Sequence, residues 1–460
     1  MTKSKAWEIT GVPGRAGESV GVLWRALGRI SARYRAASDN LERFIPWLSI
    51  SGLAIGLLLG ASSERFSNGI NSMVSRFIDG YTWVAPVVIF AILAPTVSNM
   101  LGMRKRGAIA GYAFLALSFR RLLACIWAAV YTCLVLGLPV LSDKSSGVGS
   151  ALTGSLSSLA DTAINSPYLW AIYGAIALAL ISRRYSPLSS ALNRGASGIE
   201  HAGSYLMILT PFFMIAVGGY LFALPAAIGG ELAENGASAD LQNLTVVGVS
   251  FNPNSGTGIL GVYFMIAFLV GLCSVLWHAG WLAWTKYAVK GFSIRYYLTR
   301  YWIRIYPLLW ATSSEALSAP LNLYLVKKHF PQVTPEVRRL VVGMGSYLNI
   351  NGTLIAVFVF MGAVAKIVGT EISLLQLLLV VPLVFMLAYS VPGIPSELLL
   401  FAGPLAAFLA LDGATLSAFL LLYIGLQVGL SDSFRTGNNS TDDCLFALQI
   451  ERAREKRGLT

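Results

Sequence analysis

The stretch LSDSFRTGNNSTDDCLF, residues 430–446, puts charged, hydroxyl and amide side chains where the last hydrophobic span of the chain should be. On a helix, positions i, i+3, i+4, i+7 and i+11 form one stripe roughly 80–100° wide. In this stretch they are Asp432, Arg435, Thr436, Asn439 and Asp443. An ionised group at the centre of a membrane helix costs at least about 2.5 kcal/mol. The stripe therefore predicts a polar cavity, a bound ion or a bound substrate beside this helix.

A structural interpretation of the same stripe stays open. In it, Asp432 and Arg435 form an i,i+3 ion pair, and the remaining polar residues cap a helix end near the cytoplasm. The first interpretation makes the upstream chain a frame built around this helix face.

The composition indicates a helical membrane protein. The 460 residues are 55% hydrophobic and 12% charged, about half the charged fraction of soluble proteins. The four cysteines lie in apolar segments without metal-binding spacing, which favours buried free thiols. No Walker loop, dinucleotide fingerprint or catalytic triad signature occurs in the sequence. We therefore expect no enzyme, no organic cofactor and no nucleic-acid partner, and we attribute the net charge of +12 to cytoplasmic loops.

Hydrophobic stretches and loop charges predict the topology. Stretches long enough to cross a bilayer lie near residues 46–62, 83–102, 120–141, 166–182, 203–229 and 257–285. Basic loops follow the second, fourth and sixth stretches, and Arg120 and Arg121 are assigned to the first of them. The other loops are acidic or neutral. This alternation predicts cytoplasmic N- and C-termini, in a bacterial-type inner or plasma membrane.

The last third of the chain consists of hydrophobic segments that are interrupted or polar. They cover residues 305–329, 338–367, 374–411 and 414–450. Two prolines interrupt the first segment, which starts and ends among basic residues and so predicts a re-entrant hairpin. NINGT at 349–353 breaks the second segment, and SVPGIPSE at 390–397 makes the third another hairpin. Paired broken segments are typical of transporter binding sites near the middle of the membrane.

Four motifs in these segments resemble those of the dicarboxylate/amino acid:cation symporter family, the glutamate and aspartate transporters. They are TSSEALSAP at 312–320, GSYLNINGT at 345–353, SVPG at 390–393 and DSFRTGNNSTDD at 432–443. The resemblance implies an all-α polytopic membrane protein with eight transmembrane helices and two re-entrant helical hairpins. It also implies a homotrimer that works by an elevator mechanism, in which a transport domain slides along a fixed scaffold domain.

The resemblance also implies how the chain divides into domains. The expected parts are a basic cytoplasmic segment (1–45), a scaffold and trimerisation domain (46–119 and 166–229), a transport domain (120–141 and 257–450) and a cytoplasmic tail (451–460). The transport domain then contains both hairpins, the broken helix and the polar helix.

The substrate site implied by the resemblance combines the polar helix with both hairpin tips. Asp432 is expected to take a substrate amino group, and Asn439 to contact the α-carboxylate. Arg435 is expected to bind a side-chain carboxylate, for which the guanidinium fork is well suited. The other expected substrate contacts are Thr436, Thr353, Ser313, Ser314, Val391 and Gly393.

The resemblance also implies a sodium site. Its expected ligands are the Asp443 carboxylate and backbone carbonyls of Gly345, Asn349 and Asn439, an anionic oxygen cage that suits a hard cation.

Two features leave the identity and number of coupling ions open. Asn351 stands where the family has an aspartate, which removes a negative charge expected at a second sodium site. Glu315 and Glu397 are either proton carriers or caps of the hairpin half-helices, because acids favour helix N-termini.

These features predict a secondary active transporter that couples a cation gradient, Na⁺ or alternatively H⁺, to uptake of an acidic amino acid such as aspartate or glutamate. Asp432 favours an amino group on the substrate, and Arg435 favours a second carboxylate. A C4-dicarboxylate symporter, a proton-coupled or uncoupled variant, a substrate-gated channel and a membrane sensor on the same fold remain alternatives. A channel is disfavoured because the polar residues are concentrated in the last third of the chain.

Overall fold

The computed structural model of the protein describes most of the chain. It covers residues 44–63, 106–141, 167–182, 241–253, 256–389, 398–427 and 429–458, and short pieces within 65–98, 184–195 and 210–219. The basic segment before residue 44, most of the predicted second and fifth spans, and the second hairpin tip at 390–397 lie outside the described residues.

The described chain is almost entirely helical. Its helices are α1 Ile45–Ser62, α2 Arg106–Leu136, α3 Pro167–Ser182, α4 Gly256–Ala288, α5 Ile294–Tyr297, α6 Ile303–Thr312, α7 Glu315–His329, α8 Pro335–Leu348, α9 Asn351–Ile367, α10 Leu374–Leu379, α11 Val381–Leu387, α12 Leu399–Phe408, α13 Gly413–Gln427 and α14 Leu430–Lys456. A π-helical segment, Leu298–Trp302, joins α5 to α6. Before α4, strands β1 (Leu244–Val246) and β2 (Val249–Phe251) form an antiparallel hairpin that the hydrophobic pattern does not predict.

Two described helices are each long and apolar enough to cross a bilayer. These stretches are Ala108–Leu136 of α2 and Gly258–Ala288 of α4. Helices α13 and α14 meet the same criterion only as a pair, with a bend of 63° between them. The architecture agrees with an all-α membrane protein, and the number of eight crossings remains a prediction.

Helix α2 begins earlier than the hydrophobic pattern predicts. The predicted third span starts at residue 120, whereas the helix is continuous from Arg106. Arg120 and Arg121 therefore lie within the helix and not in a loop, and both are buried, with 2% and 0% of their surface exposed. Hydropathy places the boundary at these arginines because it does not register their partners elsewhere in the fold, Asp442 for Arg120 and the Tyr389 ring for Arg121. The predicted border between scaffold and transport domains falls inside this one helix.

The interruptions of the last third occur at helix ends. Helices α6 and α7 are separated by Ser313, which has a left-handed backbone (φ 45°), and Ser314, whose hydroxyl accepts a hydrogen bond from the Leu317 amide at 3.3 Å. Helices α8 and α9 are separated by two residues within NINGT. The predicted final span, 414–450, is two helices, because Gly429 adopts a positive φ of 81° just before α14.

Helix α14 is the polar centre of the described fold. It packs against α4 and α9, and also against α6, α7 and α8. Its buried residues include all five members of the polar stripe. A buried polar group is costly unless it is hydrogen-bonded, so the neighbouring helices have to supply partners for this stripe.

Candidate functional site

The N-terminal end of α14 carries a buried ion pair. Arg435 pairs with Asp432 one turn before it in the same helix, and the two are only 1% and 5% exposed. Arg435 Nη1 also donates a hydrogen bond to Thr353 Oγ1 at 2.8 Å. The i,i+3 pair of the structural interpretation is therefore present, and it lies beside Thr353, one of the residues predicted to contact substrate. The pair contributes no net charge to this part of the site.

Asn439 is saturated with hydrogen bonds from the protein. Its Nδ2 donates to Glu315 Oε1 at 2.5 Å and to Thr353 Oγ1 at 3.0 Å. Its Oδ1 accepts from the backbone amides of Gly352 and Thr353, at 2.5 and 3.3 Å. An amide side chain offers two donors and one oxygen with two lone pairs, and all four positions are filled. The carboxylate expected from a substrate at Asn439 is supplied in this structure by Glu315.

Two local features bring these groups together. The tip between α6 and α7 places Glu315 in the first turn of α7, where an acid is favoured by the helix dipole. The break before α9 exposes the N–H groups of Gly352 and Thr353, which need partners from outside their own helix. A Cβ on Gly352 would overlap the Arg435 carbonyl, so only glycine lets α9 approach α14 this closely.

The C-terminal part of the stripe gathers the residues predicted to bind sodium. Asn349 Nδ2 donates to Asp443 Oδ1 at 2.8 Å and to the Asn439 carbonyl at 2.6 Å. Asn322 Nδ2 donates to Asp443 Oδ2 at 3.2 Å. The Asp443 carboxylate lies directly against Gly345, where any Cβ would overlap it.

The chemistry of these groups fits a hard cation. The Asp443 carboxylate supplies anionic oxygens, and the two amides that now donate to it from nitrogen also carry oxygens that can turn toward a cation.

Asn351 lies between two buried aspartates. Its Nδ2 donates to Asn349 Oδ1 at 2.7 Å and is 3.5 Å from Asp442 Oδ2. Through Asn349, this amide connects Asp442 to Asp443.

The structure adds several residues that sequence reasoning missed. Asp442 accepts a hydrogen bond from Arg120 Nη2 at 2.8 Å, and its other oxygen is 3.1 Å from His278 Nδ1. Asn322 accepts from the Tyr301 hydroxyl at 2.6 Å. One signal was available, since an arginine surrounded by apolar residues in a membrane helix usually has a functional partner.

The remaining predicted site residues are placed as follows. Thr436 is 1% exposed, and its hydroxyl has no hydrogen-bond partner among the described residues. Ser314 caps α7, and Ser313 is partly buried at the turn. Val391, Gly393 and Glu397 lie outside the described residues.

Comparison with known proteins gives a family match and relatives that include two proteins of the same name. The model of the sodium:dicarboxylate symporter family matches residues 246–453. A protein named serine/threonine transporter SstT, from Campylobacter jejuni subsp. doylei, is 23% identical over 424 residues, covering 86% of this chain and 92% of that protein. The protein of the same name from C. jejuni subsp. jejuni is 22% identical over 422 residues.

These matches confirm the resemblance that the four motifs indicate. They support a cation-coupled membrane transporter of a small solute, and they do not extend to a preference for acidic substrates. The matched region includes α6, α7, α8 and α9 and reaches residue 453, near the end of α14. Through residues 246–453, somewhat less than half of its length, the chain is similar to the sodium:dicarboxylate symporter family.

Proposed function

We propose that this transporter carries a small zwitterionic amino acid with one carboxylate, coupled to sodium bound at Asp443. The observation that carries the proposal is the hydrogen bond from Asn439 to Glu315. Because Glu315 fills that carboxylate position, the charged groups left for a substrate are the members of the Asp432–Arg435 pair. An ammonium group and a single carboxylate complement such a pair.

Charge balance favours this substrate over an acidic one. A zwitterion exchanges one buried ion pair for two, with its ammonium on Asp432 and its carboxylate on Arg435, and adds no net charge. An acidic amino acid brings one more negative charge toward Glu315. Two like charges about 4 Å apart repel by roughly 4 kcal/mol at an effective dielectric of about 20. Hydrogen bonds to the substrate would have to offset that repulsion.

Two further observations support a hydroxyl-bearing substrate. The relatives that match most of the chain carry the name serine/threonine transporter. The buried Thr436 hydroxyl, one residue after Arg435, is a hydrogen-bond group for which the described part of the chain supplies no partner. A substrate hydroxyl can both donate to it and accept from it.

An acidic amino acid, such as aspartate or glutamate, is the second candidate. It is favoured by Arg435 itself, because a guanidinium group binds a side-chain carboxylate in bidentate fashion. In this alternative Glu315 is protonated or moves away, and Asn439 takes the α-carboxylate. A C4-dicarboxylate is less suitable because it offers no ammonium group to Asp432.

The mode of transport is proposed on the family resemblance. Residues 120–141 and 257–450 would move as a transport domain in an elevator mechanism, with the scaffold domain holding a homotrimer. Support comes from the packing of α14 against α4, α6, α7, α8 and α9, which joins the candidate site residues in one packed unit.

Uptake into proteoliposomes tests these proposals. Labelled serine would be supplied under sodium, potassium and proton gradients in turn, with aspartate and succinate as competitors. We expect sodium-driven serine uptake that aspartate inhibits weakly and succinate does not inhibit. Strong inhibition by aspartate, together with uptake of labelled aspartate, would favour the acidic candidate. Uptake driven by protons alone would mean that the coupling ion is a proton, carried by Glu315 or another carboxylate, and not sodium.

A further inference from the structure

Two consecutive aspartates near the middle of α14 are completely buried but have different partners. Asp442 and Asp443 are each 0% exposed. A buried carboxylate is costly unless a cation or several hydrogen bonds compensate it. The way in which each aspartate is compensated therefore indicates where a mobile cation is needed.

Asp442 is compensated by a side chain of the protein. Arg120 Nη2 donates to Asp442 Oδ2 at 2.8 Å, and the other carboxylate oxygen is 3.1 Å from His278 Nδ1. The Arg120 guanidinium lies 4.0 Å from the centre of the Trp281 ring and 5.0 Å from that of Phe446. Held between aromatic rings and a carboxylate, this cation is fixed to α2 and cannot leave with a transported solute.

Asp443 is compensated differently. Among the described residues its hydrogen-bond donors are the amides of Asn349 and Asn322, which carry no charge. The described part of the chain places no lysine or arginine in an ion pair with it. An amide can present its oxygen as well as its nitrogen, so these neighbours can adapt to a bound cation.

We propose that Arg120 is a tethered cation that occupies Asp442 and thereby limits the aspartate pair to one transported cation, bound at Asp443. This inference rests on the proposed cation coupling and specifies its stoichiometry at this position. The linking residue Asn351 is neutral, so it adds no further carboxylate between the two aspartates.

Removing the tether should open a second cation position. In Arg120→Met, the Asp442 carboxylate loses its cation while a side chain of similar length remains. Thermal unfolding of the purified full-length protein would be followed against sodium chloride, with choline chloride keeping the ionic strength constant. For the unmodified protein we expect Tm to rise with sodium with a Hill coefficient of about 1. For R120M we expect a lower Tm in choline, a larger rise with sodium and a Hill coefficient of about 2.

The neighbouring buried arginine provides a matched control. Arg121 is 0% exposed and stacks on Tyr389 with 4.1 Å between the guanidinium carbon and the ring centre. Arg121→Met removes the same charge from the same helix without touching Asp442, and should keep the sodium dependence of the unmodified protein. An R120M sodium curve identical to that of R121M would overturn the tethered-cation proposal.

The double variant R120M/D442N tests the tethered-cation proposal even if R120M alone does not fold. It removes both members of the pair, so the single sodium response assigned to Asp443 should remain. Loss of that response in the double variant would make Asp442 the cation ligand and overturn the proposal. A missing sodium response in the unmodified protein would instead refute the proposed sodium coupling, and this inference with it.

Discussion

The two ends of the polar stripe on α14 compensate buried charge in different ways. At the N-terminal end, Asp432 pairs with Arg435, three residues further along the same helix. The other end begins eight residues beyond Arg435, where Asp443 accepts hydrogen bonds from amides. The neighbouring Asp442 pairs with Arg120, which is 322 residues away in sequence. A pair within one helix can be exchanged for a ligand without moving another element. A pair between helices also holds those helices together.

Neutral amides connect the two ends. Asn439 bonds toward Glu315 and Thr353 on one side, and its backbone carbonyl accepts from Asn349 on the other. Asn349 in turn reaches Asp443. The proposed substrate and cation positions thus share Asn439, and a change at one can alter the geometry of the other. This shared residue is a physical basis for coupling, because both ligands can bias the same hydrogen-bond arrangement.

The largest expected effect on uptake is at the cation end. Asp443→Asn removes the anionic oxygen of the proposed site while keeping its shape, so sodium-driven uptake should fall by about 100-fold, or roughly 2.7 kcal/mol. The exposed carboxylate of Asp412 gives a control variant, D412N, that should leave uptake unchanged. Sodium titrations of initial uptake rate measure both. An unaltered titration in D443N would mean that this carboxylate does not bind the coupling ion.

Variants at the substrate end should distinguish an effect on protein stability from an effect on substrate binding. Arg435→Met breaks the buried ion pair with Asp432, and removing one partner of a buried pair typically costs about 3–5 kcal/mol. Adding Asp432→Asn should recover most of this loss, because no uncompensated charge remains. Neither variant should show substrate-induced stabilisation in thermal unfolding. Substrate stabilisation that persists in the double variant would remove the pair from the proposed site.

A smaller effect should distinguish the two substrate candidates. Glu315→Gln keeps a hydrogen-bond acceptor for Asn439 but removes the negative charge that disfavours a second carboxylate. Aspartate should then inhibit serine uptake about tenfold more strongly, equivalent to 1.4 kcal/mol. Glu371→Gln, at an exposed position, serves as the control. If aspartate inhibits equally before and after E315Q, Glu315 does not select against acidic substrates.

The smallest effect concerns support of the interhelical pair. The Tyr297 hydroxyl donates to the Thr441 carbonyl at 2.9 Å and lies 3.2 Å from His278 Nε2. Tyr297→Phe should cost about 1 kcal/mol, the usual net value of one hydrogen bond. We expect a slightly lower Tm with uptake retained, whereas exposed Tyr287→Phe should leave Tm unchanged. A loss of uptake comparable to that of D443N would show that Tyr297 has a direct role in transport.

Much of the fold and part of the candidate site could be predicted from the sequence. Spacing within one helix placed Asp432, Arg435, Asn439 and Asp443 on one face, because helical periodicity is a local property. Serine, glycine and asparagine in the broken motifs marked the ends of α6 and α8. The order of these motifs was enough to indicate the resemblance to the symporter family. Hydropathy misplaced the start of α2, because its buried arginines have the charge pattern of a cytoplasmic loop.

The tertiary structure decided how the charges are matched. No local rule connects Arg120 with Asp442, Asn322 with Asp443, or Glu315 with Asn439, because each contact depends on how separate helices pack. The sequence by itself determined that a polar helix lies in an apolar chain and which of its residues share a face. The packing of other helices around it decided how each carboxylate is compensated. Asp442 received a fixed cation, Arg120, whereas the described donors to Asp443 are neutral amides.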